Sequence, residues 1–359
     1  MTSPEPSGSL PDLAEIESIV AAFGIAHVGV AAADVLTTTR EVLHERKARG
    51  LHDGMQFTYR NPDRSTDPRR AVPDARSVIV AARPYLSETD PSPQVAGVAA
   101  RVGRYAWVDH YEVLRRGLRE VAGLLRAAGH RALVVADDNS LVDRAIAHRA
   151  GIGWFGKNAN LLVPGAGSFF VLGSIITTAE YPPNQTPARD GCGSCVRCLD
   201  GCPTGAIVAP GVIDGAKCLS WILQKPGPIA PEYREAVHDR IYGCDDCQDV
   251  CPISVRLGQR NTVDLGDVDA EVQSHVDALE LLDLDDATIE QRYGRWWIAG
   301  REMRWLRRNA LIVLGNVADP DDARVRAAVD RYRSDDDPIL AEHADWASDR
   351  LDTRATSQP

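Results

Sequence analysis

No run of eighteen or more apolar residues occurs in the 359-residue chain, which excludes a membrane-spanning helix. The opening "MTSPEPSGSLPDL" lacks a basic region followed by an apolar one, and it lacks a twin arginine. Residues 1–11 are therefore expected to form a frayed tail rather than a secretory signal. There is no G-x-G-x-x-G after a first strand, so a dinucleotide-binding fold is unsupported. The glycine-rich "GIGWFGKN" has no Gly-Lys-Ser/Thr ending, so a nucleotide P-loop is unsupported as well. Positive charge is in deficit: 40 Lys and Arg face 51 Asp and Glu, a formal net charge of −11. That argues against broad, non-specific nucleic-acid binding and leaves room for a local basic patch.

What is present reads as an ordinary globular chain, 44% hydrophobic and 25% charged, long enough for two or three domains. In "DLAEIESIVAAFG", Leu13, Ile16, Ile19, Val20 and Phe23 share one helical face, and Gly24 stops it. "HVGVAA", "SVIVAA", "RALVVA" and "SFFVLGSIITT" are short apolar runs expected as buried strands. Leu114, Leu118, Val121 and Leu125 predict a second helix, with Gly129 at its C-terminus. "DDNS", Asp137 to Ser140, reads as a helix N-cap before "LVDRAIAHRAG". The resulting domains are an α/β unit over 12–181, a Cys-, Gly-, Pro- and Asp-rich unit over 182–257, and a helical unit over 258–359. In the last, Asn309-Ala310 and His343-Ala344 lie one helix-pair period apart, as in a degenerate repeat.

The middle unit carries all eight cysteines. Cys192, Cys195, Cys198 and Cys202 form C-x2-C-x2-C-x3-C followed by Pro203. Cys218 stands alone, and Cys244, Cys247 and Cys251 form C-x2-C-x3-C followed by Pro252. This is the spacing of bacterial-type ferredoxins, in which the last cysteine of each motif crosses to the other cluster. One 4Fe–4S cluster is then expected on Cys192, Cys195, Cys198 and Cys251, and the other on Cys202, Cys218, Cys244 and Cys247. Structural zinc prefers separated pairs. Disulfides conflict with the reducing, cytoplasmic compartment implied by a chain without an export signal. A ferredoxin needs no large α/β unit in front of it, so the electrons are expected to serve a reaction there.

"DDNSLVDRAIAHRAGIGWFGKNANLL", "GSFFVLGSI", "GCGSCVRCLDGCPTGAI" and "IYGCDDCQDVCP" follow one another in this chain as they do in epoxyqueuosine reductases, which it resembles from about Asp12 to the C-terminal repeats. The resemblance implies a cytoplasmic iron–sulfur enzyme that also uses base-off cobalamin. It implies reduction of an epoxide to an alkene on the modified wobble base of a tRNA anticodon, the last step of queuosine synthesis. It further implies a nitroreductase-like α/β (α+β) cobalamin-binding sandwich in front, a ferredoxin-like unit, and HEAT-like helices behind that contact tRNA. Asp137 matches the family's proposed proton donor, seven residues before the Arg of Asp143-Arg144, with Asp138 as its neighbour. Arg64, Asp137, Lys157, Asn158 and Ser168 match positions near the corrin, and the family's "DYH" appears here as Asp109-His110-Tyr111. No D-x-H-x-x-G is present to supply an axial histidine. An external low-potential donor and a monomeric enzyme are expected.

Arg301, Arg304 and Arg308 are expected on one helical face, joined by Arg292, Arg295 and Arg307 and interleaved with Trp296, Trp297 and Trp305. Arginine with aromatics suits phosphate contacts and base stacking, so this stretch is the expected tRNA-facing patch. A rival of related chemistry is a reductive dehalogenase-like reductase of a small molecule. A rival of another class is a ferredoxin-type carrier with no chemistry of its own.

Overall fold

The computed structural model describes residues 8–184, 186, 188–260, 262–265 and 272–356. Most of the expected tail, and part of the acidic stretch before the arginines, lies outside them. Ser77–Pro84 and Phe170–Thr177 are rich in Val, Ile and small residues, and they form the centre of a four-stranded antiparallel sheet. The order is His27–Ala32, Ser77–Pro84, Phe170–Thr177, Ala132–Val135. Alternate residues feed two cores. Ile79 and Ala81 meet Ile16, Val20, Leu114, Leu118, Val121 and Leu125 of the helices Leu13–Ala21 and His110–Ala127. Val78, Val80 and Ala82 meet Leu141 and Ile146 on the other face, where Asp143–Arg149 packs. Gly24 and Gly129 end their helices at positive φ, 65° and 86°.

One expected strand is less buried than its apolar run suggests. Ala132–Val135 has a neighbour on one side only, and Leu133 keeps 39% of its surface exposed. It is an edge strand.

A second sheet was not legible beforehand. Ala99–Val102 pairs in parallel with Arg240–Tyr242 and antiparallel with His275–Asp277. Each of the three stretches expected as separate domains thus supplies one of its three strands. Val102, Ile241 and Val276 share one apolar core with Leu306 and Leu314. The cysteine-rich stretch has only a small core of its own, built on Leu219, Ile222, Leu223, Ile229 and Val237.

Behind it, Arg304–Val317 packs against Pro338–Thr356. The two positions of the suspected repeat serve the same purpose. Asn309 and His343 are both fully buried. The Asn309 amide donates to the carbonyls of Leu223 and Ile241, at 2.8 and 2.9 Å. His343 Nε2 accepts the Ile229 N–H at 3.1 Å. Among the described residues no helix is long and apolar enough to cross a membrane.

The same helix corrects the expected arginine face. Arg308 is 0% exposed, because its side of the helix meets the loop after Leu219–Ile222 rather than solvent. Its guanidinium donates to the carbonyls of Ile222, Leu223, Lys225 and Gly227 and to Asn309 Oδ1. Arg301 lies in a separate turn, Ala299–Arg301, outside the helix. Arg308 is a staple between the helices and the cysteine-rich stretch.

Arg308→Ala should therefore lower stability by about 3 kcal/mol or more, since it leaves several buried carbonyls without donors. Arg308→Lys should lose much of the same, because an ammonium cannot reproduce the planar fork. Urea unfolding measures both, and an unchanged curve would return this residue to the surface.

Candidate active site

The eight thiols are free, with Cys195 exposed and the others half-buried. Their mutual influence divides them into two groups. Burial pushes the Cys198 thiol up, and Cys251, Cys192 and Cys195 add to the effect. Burial likewise pushes Cys244 up to about 12, with Asp246 and Cys218 adding to it. Cys247 is driven well up by burial, then by Cys244, Cys218 and, more weakly, Cys202. Cys218 is raised by burial and by Cys202, against the pull of the Trp221 and Ser220 N–H groups and of Arg144. The structure thus brings together 192, 195, 198 and 251, and separately 202, 218, 244 and 247. Among the described residues no three such side chains converge as a single ion needs. A four-iron cube instead spreads its ligands over four corners.

Local chemistry sets these positions. The Asp190 carboxylate accepts the Cys192 N–H at 2.7 Å, and the Ala206 N–H points at Cys202 Sγ at 3.2 Å. Pro252 opens the helix Pro252–Gly258 directly after Cys251, where a missing N–H costs nothing. Gly167, at φ 85°, lets the front unit approach this helix, because a Cβ there would lie 2.6 Å from the Ser254 Cα. Crowded thiols deprotonate only against a cation, and the donor set fits iron.

Asp137 lies just beyond Ala132–Val135, and its backbone is left-handed, with φ 55°. The expected helix cap is not formed. The helix begins at Asp143 after Val142, while Asp138 Oδ1 accepts the Ser140 N–H at 2.5 Å and closes a turn. No adjacent helix N-terminus therefore draws the Asp137 carboxyl down. Burial pushes it up, Arg115 opposes, and Asp138 and Asp109 add to the rise. The residue is exposed, although neighbouring protein crowds its carboxyl enough to raise it.

Sequence reasoning missed several neighbours. The Asp143 carboxyl is pushed well up, by burial first and then by Asp137 and Asp138. The hydroxyls of Tyr111 and Tyr242 both feel the Asp137 charge. Arg144, exposed beside Asp143, acts on Tyr111 and on Cys218. Asn160 reaches toward Cys247 Sγ at 3.9 Å. The available signals were Asn160, two residues after Asn158, and Asp143, which had served only as a register mark. A groove of about 550 Å³ between Arg197, Asp249 and Arg256 is not lined by Asp137.

The other expected site residues divide. Ser168 is 5% exposed and bonds to Ser254 Oγ at 2.8 Å and to the Gln248 amide at 3.1 Å. Asn158, also 5% exposed, donates to the Cys247 carbonyl at 3.2 Å and accepts the Asn160 N–H. Both brace the cysteine motif, and their polar atoms are already engaged. The Lys157 ammonium donates to the Gly193 carbonyl at 2.8 Å, and Arg64 is exposed in Pro62–Ser65. Asp109 caps His110–Ala127, and His110 is fully buried against Arg83 at 2.7 Å, so neither is presented beside Asp137 as a free group. Arg301 pairs with Glu290 at 2.9 Å, and Arg304 with Glu302 at 2.8 Å and Asp337 at 3.0 Å. Trp296 and Trp305 are buried, which leaves only Trp297 of the three tryptophans exposed.

A family model described as a 4Fe-4S double cluster binding domain matches residues 191–254. A second, described as epoxyqueuosine reductase QueG, DUF1730, matches residues 65–138. The chain is 31% identical over 353 residues to an epoxyqueuosine reductase of Lactococcus garvieae, covering 96% of this chain and 97% of that one. It is 36% identical over 325 residues to one of Gloeobacter violaceus, covering 86% and 98%. Among solved structures it is similar to an epoxyqueuosine reductase with an epoxyqueuosine-modified tRNA-Tyr stem loop, at TM-score 0.84, 27% identity, and 94% and 89% coverage. It is also similar to the Bacillus subtilis enzyme with its catalytic aspartate loop swung out of the active site, at TM-score 0.83, 26% identity, and 94% and 90% coverage.

The grouping of the thiols can be tested by counting iron in anaerobically reconstituted protein, where about eight per chain are expected. Replacing Cys198 and Cys251 together with Ala should leave about four, because both fall in one quartet. Replacing Cys247 and Cys251 together should leave almost none, although these two belong to one sequence motif. The reverse pattern, almost none left in the first double variant and about four in the second, would mean that the quartets do not cross.

Proposed function

The chain belongs to the epoxyqueuosine reductase family, and from that premise we propose that it reduces epoxyqueuosine to queuosine at the wobble position of a tRNA anticodon. The observation that carries the reading is the seating of the front unit on the cysteine motif, where Asn158 holds the Cys247 carbonyl and Ser168 bonds to Ser254. Converting an epoxide to an alkene and water takes two electrons and two protons. The two thiol quartets would hold two 4Fe–4S clusters, which would supply electrons one at a time from an external low-potential donor. Asp137 holds a proton at its carboxyl and delivers it to the epoxide oxygen as the C–O bond breaks. Burial raises its pKa, the direction an acid needs. Asp143, Tyr111 and Tyr242 are the neighbours that feel its charge.

Cobalamin would be held beside Asp137, with exposed Arg64 and half-buried Lys157 as the cations able to meet its periphery. Asn158 and Ser168 would support that site from behind rather than touch the corrin. When bound, the group would supply a strongly reducing cobalt nucleophilic toward an epoxide carbon. We read the front unit as a nitroreductase-like sandwich, the middle as ferredoxin-like and the back as HEAT-like, in a cytoplasmic monomer. Arg301 and Arg304 remain the tRNA-facing cations in this reading. Glu290 and Glu302 are exposed partners, and such pairs are worth under about 1 kcal/mol, so phosphates can displace them, while Asp337 keeps a hold on Arg304.

Asp137→Asn tests the acid. Asn tolerates the left-handed backbone, so folding and iron content should be unchanged. Turnover of epoxyqueuosine tRNA should fall by about two to four powers of ten. In the parent enzyme the rate should decline as pH rises through the raised carboxyl pKa, because the proton is then lost. That limb should vanish in the variant. Asp138→Asn should be mild, and an inactive Asp138→Asn beside an active Asp137→Asn would reassign the donor.

A further inference from the structure

Trp297 is 52% exposed, more than any other large apolar side chain described. It sits in the segment between the helix Asp286–Tyr293 and the turn Ala299–Arg301. The preceding residue, Trp296, points inward and stacks on Tyr242 at 4.7 Å and on Tyr293 at 4.9 Å. Trp297 is held by its backbone: its N–H donates to the Tyr242 hydroxyl at 2.9 Å, and that hydroxyl donates to its carbonyl at 3.3 Å. Its ring lies 5.6 Å from Trp221, tilted by 30°.

Trp221 is fixed in turn. Its indole N–H is shared between the Asp53 carbonyl and carboxylate, both at 3.1 Å, and Lys225 holds that carboxylate at 2.7 Å. Trp221 follows Cys218 by three residues, so it stands beside the second quartet. Through Trp221 the exposed indole is therefore placed near the second quartet, rigid, and backed by a second aromatic ring.

We propose that Trp297, braced by Trp221, is a stacking platform for an unpaired nucleobase of the anticodon loop adjacent to the one that enters the active site. The assignment rests on the reading that the active site takes a modified nucleoside of tRNA. Single-stranded loops are recognised through unstacked bases laid on aromatic faces. Delivery of one base into the active site unstacks its neighbour, which then needs a new partner. A two-ring platform near the second quartet supplies it. Buried Trp296 and Trp305 cannot, and this narrows the sequence's three tryptophans to one.

The experiment measures binding of an epoxyqueuosine-containing anticodon stem-loop to the iron–sulfur-loaded chain and its Trp297 variants. Trp297→Ala should weaken binding about five- to 150-fold, the range set by losing one stacked base. Trp297→Phe should recover most of it, and KM should rise in Trp297→Ala with kcat unchanged. A stem-loop abasic next to the modified position should bind the parent weakly and lose nothing more with Trp297→Ala. Unchanged affinity of Trp297→Ala beside normal turnover by the parent overturns the platform and leaves the reaction standing. Trp297-dependent binding by a parent that turns nothing over keeps the platform and removes the reaction. A parent that binds no stem-loop removes both.

Discussion

A stretch that must gather eight thiols into two quartets, with only a small apolar core, cannot hold its own shape. Everything else in the fold follows from where that support comes from. Part is backbone pairing, since Arg240–Tyr242 enters a sheet whose other strands belong to the front and back of the chain. Part is polar. Arg308, Asn309 and His343 satisfy carbonyls and an N–H of the loop that follows Cys218. Buried donors of this kind specify a position more sharply than apolar contact does, because a shift of an ångström leaves them unpaired.

The same support ties the chemistry to the scaffold. Ser168, Tyr85 and Gln248 form a buried network one residue from Cys247. Asn158 holds the Cys247 carbonyl, and Arg104 joins Asp90, Asp245 and Asp249 around the second motif. The front unit therefore does not merely precede the iron–sulfur ligands. It braces the cysteine motif and carries Asp137 just beyond its own edge strand. Asp137 is kept in a left-handed backbone conformation beside the turn that Asp138 closes. Strain of that kind persists only where the surroundings over-determine it, and it is characteristic of functional loops.

Much of this was legible in the sequence. Apolar runs and helical spacing located the first sheet and its two covering helices, and cysteine spacing marked the stretch that the double-cluster family model matches. The failures share a cause: each depended on tertiary partners. "AARV" at 99–102 has no run long enough to announce a strand, yet two distant strands pair with it. "DDNS" has the residues of a cap but is used as a turn, because the helix starts later. The arginines after Tyr293 look like a solvated face, while Arg308 is the most deeply committed cation in the chain. Helical periodicity gives the face a residue occupies, not what that face meets.

The central claim is that electrons from the second quartet and a proton from Asp137 meet on a tRNA nucleoside. It is tested most directly by nucleoside mass spectrometry of epoxyqueuosine-containing tRNA. The tRNA is incubated anaerobically with the chain reconstituted with iron, sulfide and cobalamin and supplied with a low-potential reductant. The account predicts conversion to queuosine, seen as loss of a single oxygen atom from the nucleoside. Recovery of unaltered epoxyqueuosine from protein whose two clusters are intact and reduced would contradict it.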